Sequence, residues 1–151
     1  MELPLTWRVR AALACLIIPL LVNSISFATV AMRLTPTRPR RMAPFDDEAM
    51  ALWVTRFLHR LPDQWYPTCL RRAAVLYHLL RRAGRPVHLC VGVQRGNAGQ
   101  VDAHAWLVRG NELYLEPSTT NPRLYKVIAR FPEDSKEVTV DGDKALEITE
   151  V

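Results

Sequence analysis

The sequence contains few cysteines, and none lies in a pattern typical of a metal site or a disulfide framework. Cys15, Cys69 and Cys90 stand in three unrelated contexts, with no CxxC pair and no metal-ligand spacing. An odd, scattered set of cysteines argues against a disulfide framework and favours a reducing compartment. The residues therefore imply no metal ion and no other cofactor.

The sequence also lacks the aromatic spacing of a nucleic-acid-binding surface. It has 20 Lys and Arg against 15 Asp and Glu, and its arginines concentrate between residues 33 and 82. Aromatic side chains do not alternate with these basic residues, as a stacking platform for bases would require. We therefore expect no nucleic-acid partner and interpret the basic surplus as a solvated surface, with an anionic membrane as the alternative. The hydrophobic content of 49% is enough for one domain with a real core.

Charged residues are absent from residues 11–32, which are largely apolar and have arginines on both sides. Three interpretations fit this stretch: a signal peptide, a membrane-spanning helix, or a helix that packs on the domain or lies in the membrane interface. More positive charge follows the stretch than precedes it, which opposes export and would keep the following domain in the cytoplasm. This disfavours the signal peptide and leaves the other two interpretations open.

Residues 69–84 predict the helix around which the rest of the chain is organised. Thr68 is a good N-cap before Cys69. Gly84 closes the helix, and Pro86 prevents its continuation. A thiol at a helix start faces unpaired N–H groups and the positive end of the helix dipole, and both favour the nucleophilic thiolate. Cys69 is therefore the candidate nucleophile.

Alternating apolar and polar residues predict strands over residues 86–94, 101–108 and 112–116, and the last two form a hairpin. A three-residue loop keeps all the apolar residues on one face and places His104 directly opposite Glu116. Because register follows the buried face, we prefer this loop to a two-residue turn. Directly opposed side chains start about 5 Å apart, so the carboxylate is expected to bond the imidazole.

Two segments between the apolar stretch and the central helix have clear patterns. Residues 35–45 carry three prolines and three arginines and predict an extended connector. Apolar residues at helical spacing predict a helix over residues 47–61 that packs on the Cys69 helix, with Trp53 and Phe57 in the core.

The C-terminal part of the chain is less informative. Residues 124–131 predict a strand and residues 137–150 predict a hairpin, and neither suggests any chemistry. The expected organisation is an apolar helical segment, a connector, a main domain and a β-rich C-terminal extension: residues 1–34, 35–46, 47–120 and 121–151.

Thiol catalysis needs a nucleophile, a base and a third group that holds the base, and Cys69, His104 and Glu116 supply these roles in that order. The oxyanion of such a reaction would meet the Cys69 backbone N–H, with Gln64 or Trp65 as a second donor.

Two alternatives stand beside this triad. Asp102 shares the strand face of His104 and is the rival acid, although two positions along one strand is the less favourable placement. A lone cysteine in a helix is usually a small core residue, and a histidine in a strand is usually structural. On spacing alone, the catalytic and the structural interpretations carry roughly equal weight.

The motifs that bear on family membership are Cys69-Leu70, Leu79-Leu80-Arg81-Arg82-Ala83-Gly84, Val91-Gly92-Val93 and Ala103-His104-Ala105-Trp106. They resemble the transglutaminase-like domain of lasso-peptide B2 proteins, over about residues 47–120. The resemblance implies an α+β fold with a transglutaminase-like, or papain-like, core in which the nucleophile helix packs on an antiparallel sheet. It places the nucleophile on Cys69 and the histidine on His104, and the family's usual aspartate falls on Glu116.

The resemblance also implies an activity and partners. It indicates a cytoplasmic cysteine peptidase that removes the leader from a ribosomally made precursor, so that a separate lasso cyclase can close the ring. A separate leader-recognition protein, usually called B1, would deliver the leader peptide, and residues 11–32 would allow contact with a membrane. The alternatives are another transglutaminase-like amidase or acyl transferase that acts on a different peptide, and a non-catalytic, membrane-associated binding module.

Overall fold

The computed structural model describes residues 3–37, 42–63, 68–96, 99–117 and 121–133. Its helices are α1 (Leu5–Ser24), α2 (Phe27–Leu34), α3 (Asp47–Leu58) and α4 (Cys69–Arg82). Its strands are β1 (Val87–Arg95), β2 (Val101–Arg109), β3 (Glu112–Tyr114) and β4 (Lys126–Phe131), with a 3-10 helix at Pro122–Leu124 before β4. The strands form one antiparallel sheet in the order β3-β2-β1-β4. The predicted α+β class is confirmed.

Helix α4 lies at the centre of the core because apolar residues occupy most of its circumference. It packs on α1, α2 and α3 and on strands β1 and β2. The Thr68 hydroxyl accepts the N–H of Arg71 at the start of the helix, and Gly84 with a φ of 81° follows its end. Both predicted boundaries of this helix are confirmed. Its buried residues are Ala73, Ala74, Val75, Leu76, Tyr77, Leu79 and Leu80.

Strand alternation determines which side chains of β2 join the core. Leu107 pairs with Leu89 of β1, and both are fully buried in the main hydrophobic cluster. His104 and Trp106 are out of phase with Leu107 along β2, so their side chains leave the strand on its other side. The sheet therefore separates packing residues from the candidate site residues within one strand.

The hairpin between β2 and β3 has a two-residue turn, so the predicted three-residue loop is wrong. Arg109 pairs with Glu112, and β3 ends at Tyr114 before it reaches the level of His104. Gly110 has a φ of 62°, which is the conformation that a tight hairpin turn with glycine at its first position requires. Leu113 is 48% exposed, so burial of its side chain does not oppose this register.

The N-terminal apolar stretch forms two helices, separated at Ile25 and Ser26. Helix α1 packs on α4 and α3 and buries Ala11, Cys15 and Ile18 in the common core. This agrees with the interpretation of a helix packed on the domain. By length and composition α1 is also apolar enough to cross a membrane, with a mean hydropathy of 1.8 over its most apolar window.

Helix α3 packs on α4 as predicted, but it ends at Leu58 rather than at residue 61, and its two aromatic residues lie at the edge of the core. Met50 and Val54 are fully buried, whereas Trp53 and Phe57 are only half-buried. Their rings stack with centroids 4.9 Å apart and line a surface groove. The apolar face of α3 is therefore wider than the part of it that packs in the core.

The strand predicted over residues 124–131 is present as β4, which begins at Lys126 and pairs with β1. The pairing shifts register between Val91 and Gly92 of β1. The hairpin predicted over residues 137–150 lies outside the described residues.

Candidate functional site

His104 is the central residue of the candidate site. Its Nε2 lies 3.6 Å from Oε2 of Glu116, within ion-pair range but longer than a hydrogen bond. The Trp106 ring stacks beside the imidazole with centroids 5.8 Å apart, and the Tyr125 ring packs on it with centroids 5.5 Å apart. Since Nε2 is turned towards the carboxylate, Nδ1 is the nitrogen left to exchange a proton with another group.

Glu116 reaches His104 through a change of chain direction at Leu115. Leu115 has a φ of 57°, in the left-handed region that residues other than glycine rarely adopt. The strand alternation ends there, so the Glu116 side chain does not follow the period of β3. Its Oε1 accepts the backbone N–H of Leu107 at 3.4 Å, and the carboxyl group is almost fully buried.

Arg72 connects Glu116 to the helix that begins with Cys69. Its guanidinium lies 3.8 Å from Oε1 of Glu116 and donates to the Leu115 carbonyl at 2.9 Å and to Oγ1 of Thr55 at 3.0 Å. Arg72 follows Cys69 by three residues, so the two side chains start from the same side of α4. Arg72 therefore holds Glu116 and the left-handed Leu115 against the first turn of α4.

Burial raises the pKa of Glu116 above its ordinary value, and the charges of Arg72 and His104 offset this effect only in part. Burial also lowers the pKa of Arg72, while the Glu116 charge acts in the opposite direction. The carboxyl group is thus harder to ionise than an exposed glutamate, and Arg72 favours its charged form.

Cys69 is the first residue of α4 and is a free, half-buried thiol. The Thr68 hydroxyl and carbonyl accept the N–H groups of Arg71 and Arg72. The N–H groups at the very start of a helix have no partner within it, so they are available to a ligand at that end.

Tyr125 connects His104 with Asp102. A hydrogen bond from its hydroxyl to Asp102 raises the pKa of Tyr125. The Tyr125 ring also packs on His104. Tyr125 therefore joins His104 to Asp102, and Arg72 joins Glu116 to the helix that Cys69 begins.

Asp102, the rival acid, has its hydrogen bonds elsewhere. Its Oδ2 accepts from the Tyr125 hydroxyl at 2.7 Å and from Nε2 of Gln94 at 3.1 Å. These two hydrogen bonds lower the pKa of the exposed Asp102 carboxyl, and the charge of His104 contributes least. The geometry favours Glu116 over Asp102 as the partner of His104. Gln64 and Trp65, expected as oxyanion donors, lie outside the described residues.

Comparison with known proteins tests the fold independently of this geometry. A sequence model of the transglutaminase-like superfamily matches residues 12–130, well over half of the chain. The chain belongs to this superfamily. Transglutaminase-like proteins include cysteine peptidases and acyltransferases, and they typically carry a Cys-His-Asp triad. No curated protein and no solved structure matches the chain.

The candidate site departs from the usual transglutaminase-like triad in its acid. The acid that lies beside His104 is a glutamate, whose side chain is longer than that of an aspartate by one methylene group. Glu116 does not stand in a strand opposite His104 but follows the left-handed Leu115. The longer side chain helps its carboxylate to approach the imidazole from there.

Sequence reasoning assigned no role in the candidate site to three residues that shape it: Arg72, Tyr125 and Gly92. A Cβ atom added at Gly92 would lie 2.7 Å from Cη2 of Trp106 and 2.9 Å from Cβ of Tyr125, so glycine is the residue that fits between these two side chains. A glycine within a strand is a sign of such close approach. The sequence carries no comparable signal for Arg72 or Tyr125, because their partners come from distant segments.

Proposed function

We propose that this protein is a cysteine peptidase that removes the leader from a ribosomally made lasso-peptide precursor. Cys69 is the nucleophile, His104 the base and Glu116 the acid that orients the base. The observation that carries the proposal is the buried contact between His104 and Glu116, which Arg72 ties to the first turn of the helix that Cys69 begins. The resemblance of the sequence motifs to B2 proteins supports the choice of substrate.

The reaction follows from these roles. His104 accepts the thiol proton, and the sulfur of Cys69 attacks the carbonyl carbon at the junction of leader and core. Collapse of the tetrahedral intermediate breaks the C–N bond, and the imidazolium gives its proton to the leaving amine. Water, deprotonated by His104, then hydrolyses the thioester and restores the thiol. Glu116 stabilises the imidazolium in both halves of the reaction.

The start of α4 offers the first oxyanion donor. The backbone N–H of Cys69 belongs to the first helical turn, where N–H groups have no intrahelical partner and the helix dipole favours negative charge. Gln64 or Trp65 would supply the second donor. The partners of the reaction are the precursor leader, a separate recognition protein and a lasso cyclase, all in the cytoplasm.

Incubation with the precursor and the recognition protein encoded nearby tests the proposal. We expect leader removal by the parent protein and none by Cys69→Ala. Cys15→Ala is the matched control, because burial raises the pKa of the Cys15 thiol to about 12 and removes it from thiolate chemistry. Unchanged cleavage by Cys69→Ala would exclude the mechanism.

Acyl transfer to an amine on a different peptide is the second candidate, because the matching sequence model describes the superfamily as a whole. The same thioester would form, and an amine rather than water would release the acyl group. Adding a fluorescent primary amine to the assay separates the two. A labelled acyl product without free leader supports transfer, and a free leader carboxylate supports hydrolysis.

A further inference from the structure

Helix α1 has a continuous apolar side that the domain does not cover. Six large apolar residues project from one side of the helix, since they follow one another at steps of one, three or four positions. Each of them is between 38% and 75% exposed, whereas the opposite side of the helix packs on α3 and α4. We call this surface the α1 stripe: Leu5, Val9, Leu13, Leu16, Ile17 and Leu20.

A groove beside the N-terminal end of α1 combines aromatic and basic side chains. It has a volume of about 300 Å³, and α3 contributes most of its lining, with Arg8 from α1. The stacked rings of Trp53 and Phe57 line it together with the guanidinium groups of Arg8, Arg56 and Arg60. Aromatic rings and arginines beside an apolar surface are the composition found where proteins meet the headgroup layer of a bilayer.

The charged side chains of residues 3–45 all have one sign. Residues 3–45 contain six arginines and neither aspartate nor glutamate, although acids make up 15 of the 151 residues. Such a segment is complementary to an anionic lipid surface, which attracts each nearby arginine.

We propose that the α1 stripe and the adjoining groove form a docking face for an anionic lipid bilayer. Helix α1 lies in the plane of the interface, with the stripe among the upper acyl chains and the groove arginines at the phosphate groups. This orientation keeps Ala11, Cys15 and Ile18 in the core, which a spanning orientation would remove from it. The proposal does not depend on the proposed peptidase activity.

A second copy of the chain explains the stripe less well. A specific protein–protein interface usually takes roughly 20 residues from each partner, and the stripe supplies six. Two copies would also bring their acid-free basic segments together, which costs free energy through like-charge repulsion. A bilayer needs no shape complementarity and offers the opposite charge.

Vesicle co-sedimentation of the full chain tests the proposal. The probes are vesicles of phosphatidylcholine alone and vesicles in which a quarter of the lipid is phosphatidylglycerol. We expect at least about tenfold tighter binding to the anionic vesicles, because several arginines contribute, and a decrease in that binding with added salt. Equal binding to both vesicles, or none to either, would overturn the proposal.

Variants locate the binding face. Leu13→Glu and Ile17→Glu, on the stripe, should each weaken binding by at least about tenfold, and Arg56→Glu with Arg60→Glu should reduce the preference for anionic lipid. Ile128→Glu, at an apolar position on β4 that is similarly exposed, is the matched control and should bind like the parent. Thermal unfolding by circular dichroism verifies that each variant is folded. Stripe variants that bind vesicles normally but change from dimer to monomer in gel filtration would contradict the proposal and identify a second copy as the occupant.

Discussion

Glu116 and Asp102 are two carboxylates near one imidazole, and their surroundings assign them different roles. Glu116 is buried against Nε2 of His104, whereas Asp102 is exposed and bonds Tyr125 and Gln94. Both acids were candidates on spacing alone. The contacts that separate them come from Arg72, which bonds Glu116 from a distant helix, and from Tyr125, which bonds Asp102 from 23 residues further along the chain.

Conversion of each acid to its amide tests this assignment within the proposed peptidase. Loss of the orienting acid costs up to about 10⁴-fold in kcat in other triads, so Glu116→Gln should lower kcat/KM for the precursor by at least about 10²-fold. Asp102→Asn removes the same charge from a position two residues before His104 on β2. It should change kcat/KM only a few-fold. Steady-state cleavage rates of both variants decide the point. A larger loss in Asp102→Asn would assign the acid to Asp102.

The raised pKa of Glu116 predicts how stability varies with pH. The folded protein binds this proton more tightly than the unfolded chain, so the stabilising contribution is fully present below the unfolded pKa, ordinarily 4.5, and is lost as pH rises through the higher folded pKa. The side chain in Glu116→Gln cannot ionise, so the stability of this variant does not fall in this way as pH rises. The free energy of unfolding of the variant, relative to the parent, should therefore increase between about pH 4 and pH 7 in urea titrations. A relative decrease over that range would contradict the buried position of the carboxyl group.

At the scale of secondary-structure elements, the end of β3 determines where the acid lies. Leu115 is left-handed, and a β-branched residue is strongly disfavoured there. Leu115→Val should therefore lower the free energy of unfolding by about 1–3 kcal/mol and displace Glu116, so that activity falls as well. Leu113→Val is the matched control, since position 113 is extended and half-exposed and valine suits a strand. Chemical denaturation and precursor cleavage measure the two effects, and equal stability of the two variants would argue against strain at Leu115.

Helix α4 and the start of α3 could be predicted from sequence because their ends carry local chemistry. Thr68 and Gly84 mark the ends of α4, and the Asp46 side chain caps α3 by accepting the N–H of Ala49. These signals act within four residues, so no knowledge of the rest of the fold is needed.

The hairpin shows where that reasoning stops. We expected burial to set its register, but Leu113 remains half-exposed and the tight turn at Gly110 decides the pairing. The expected proximity of His104 and Glu116 is nevertheless present, for a different reason: the left-handed Leu115 redirects the chain. The pairing of β4 with β1 could not be predicted from the sequence either, since strand order depends on contacts between distant segments.

At the scale of the whole molecule, one buried arginine joins segments that no strand pairing connects. Arg85 is 6% exposed and forms a salt bridge with Asp47 of α3 at 2.8 Å. Asp47 also accepts the Tyr114 hydroxyl of β3 at 2.6 Å. The remaining donors of the guanidinium bond backbone carbonyls at the end of the connector and of α4: Ala43, Phe45 and Ala83.

Replacement of Arg85 should therefore destabilise the whole molecule rather than one element. Arg85→Met keeps the apolar stem but leaves the Asp47 carboxylate and the bonded carbonyls without their cation, so the free energy of unfolding should fall by about 3–5 kcal/mol. Arg85→Lys keeps the charge without the fork of donors and should give a smaller loss. Arg123→Met, at an exposed position, should stay within about 0.5 kcal/mol of the parent. Guanidinium titrations followed by tryptophan fluorescence give all three values. The contrary outcome is a free energy of unfolding that falls no further in Arg85→Met than in Arg123→Met. In that case apolar contacts alone hold the connector, α3 and β3 together, and the buried ion pair does not stabilise them.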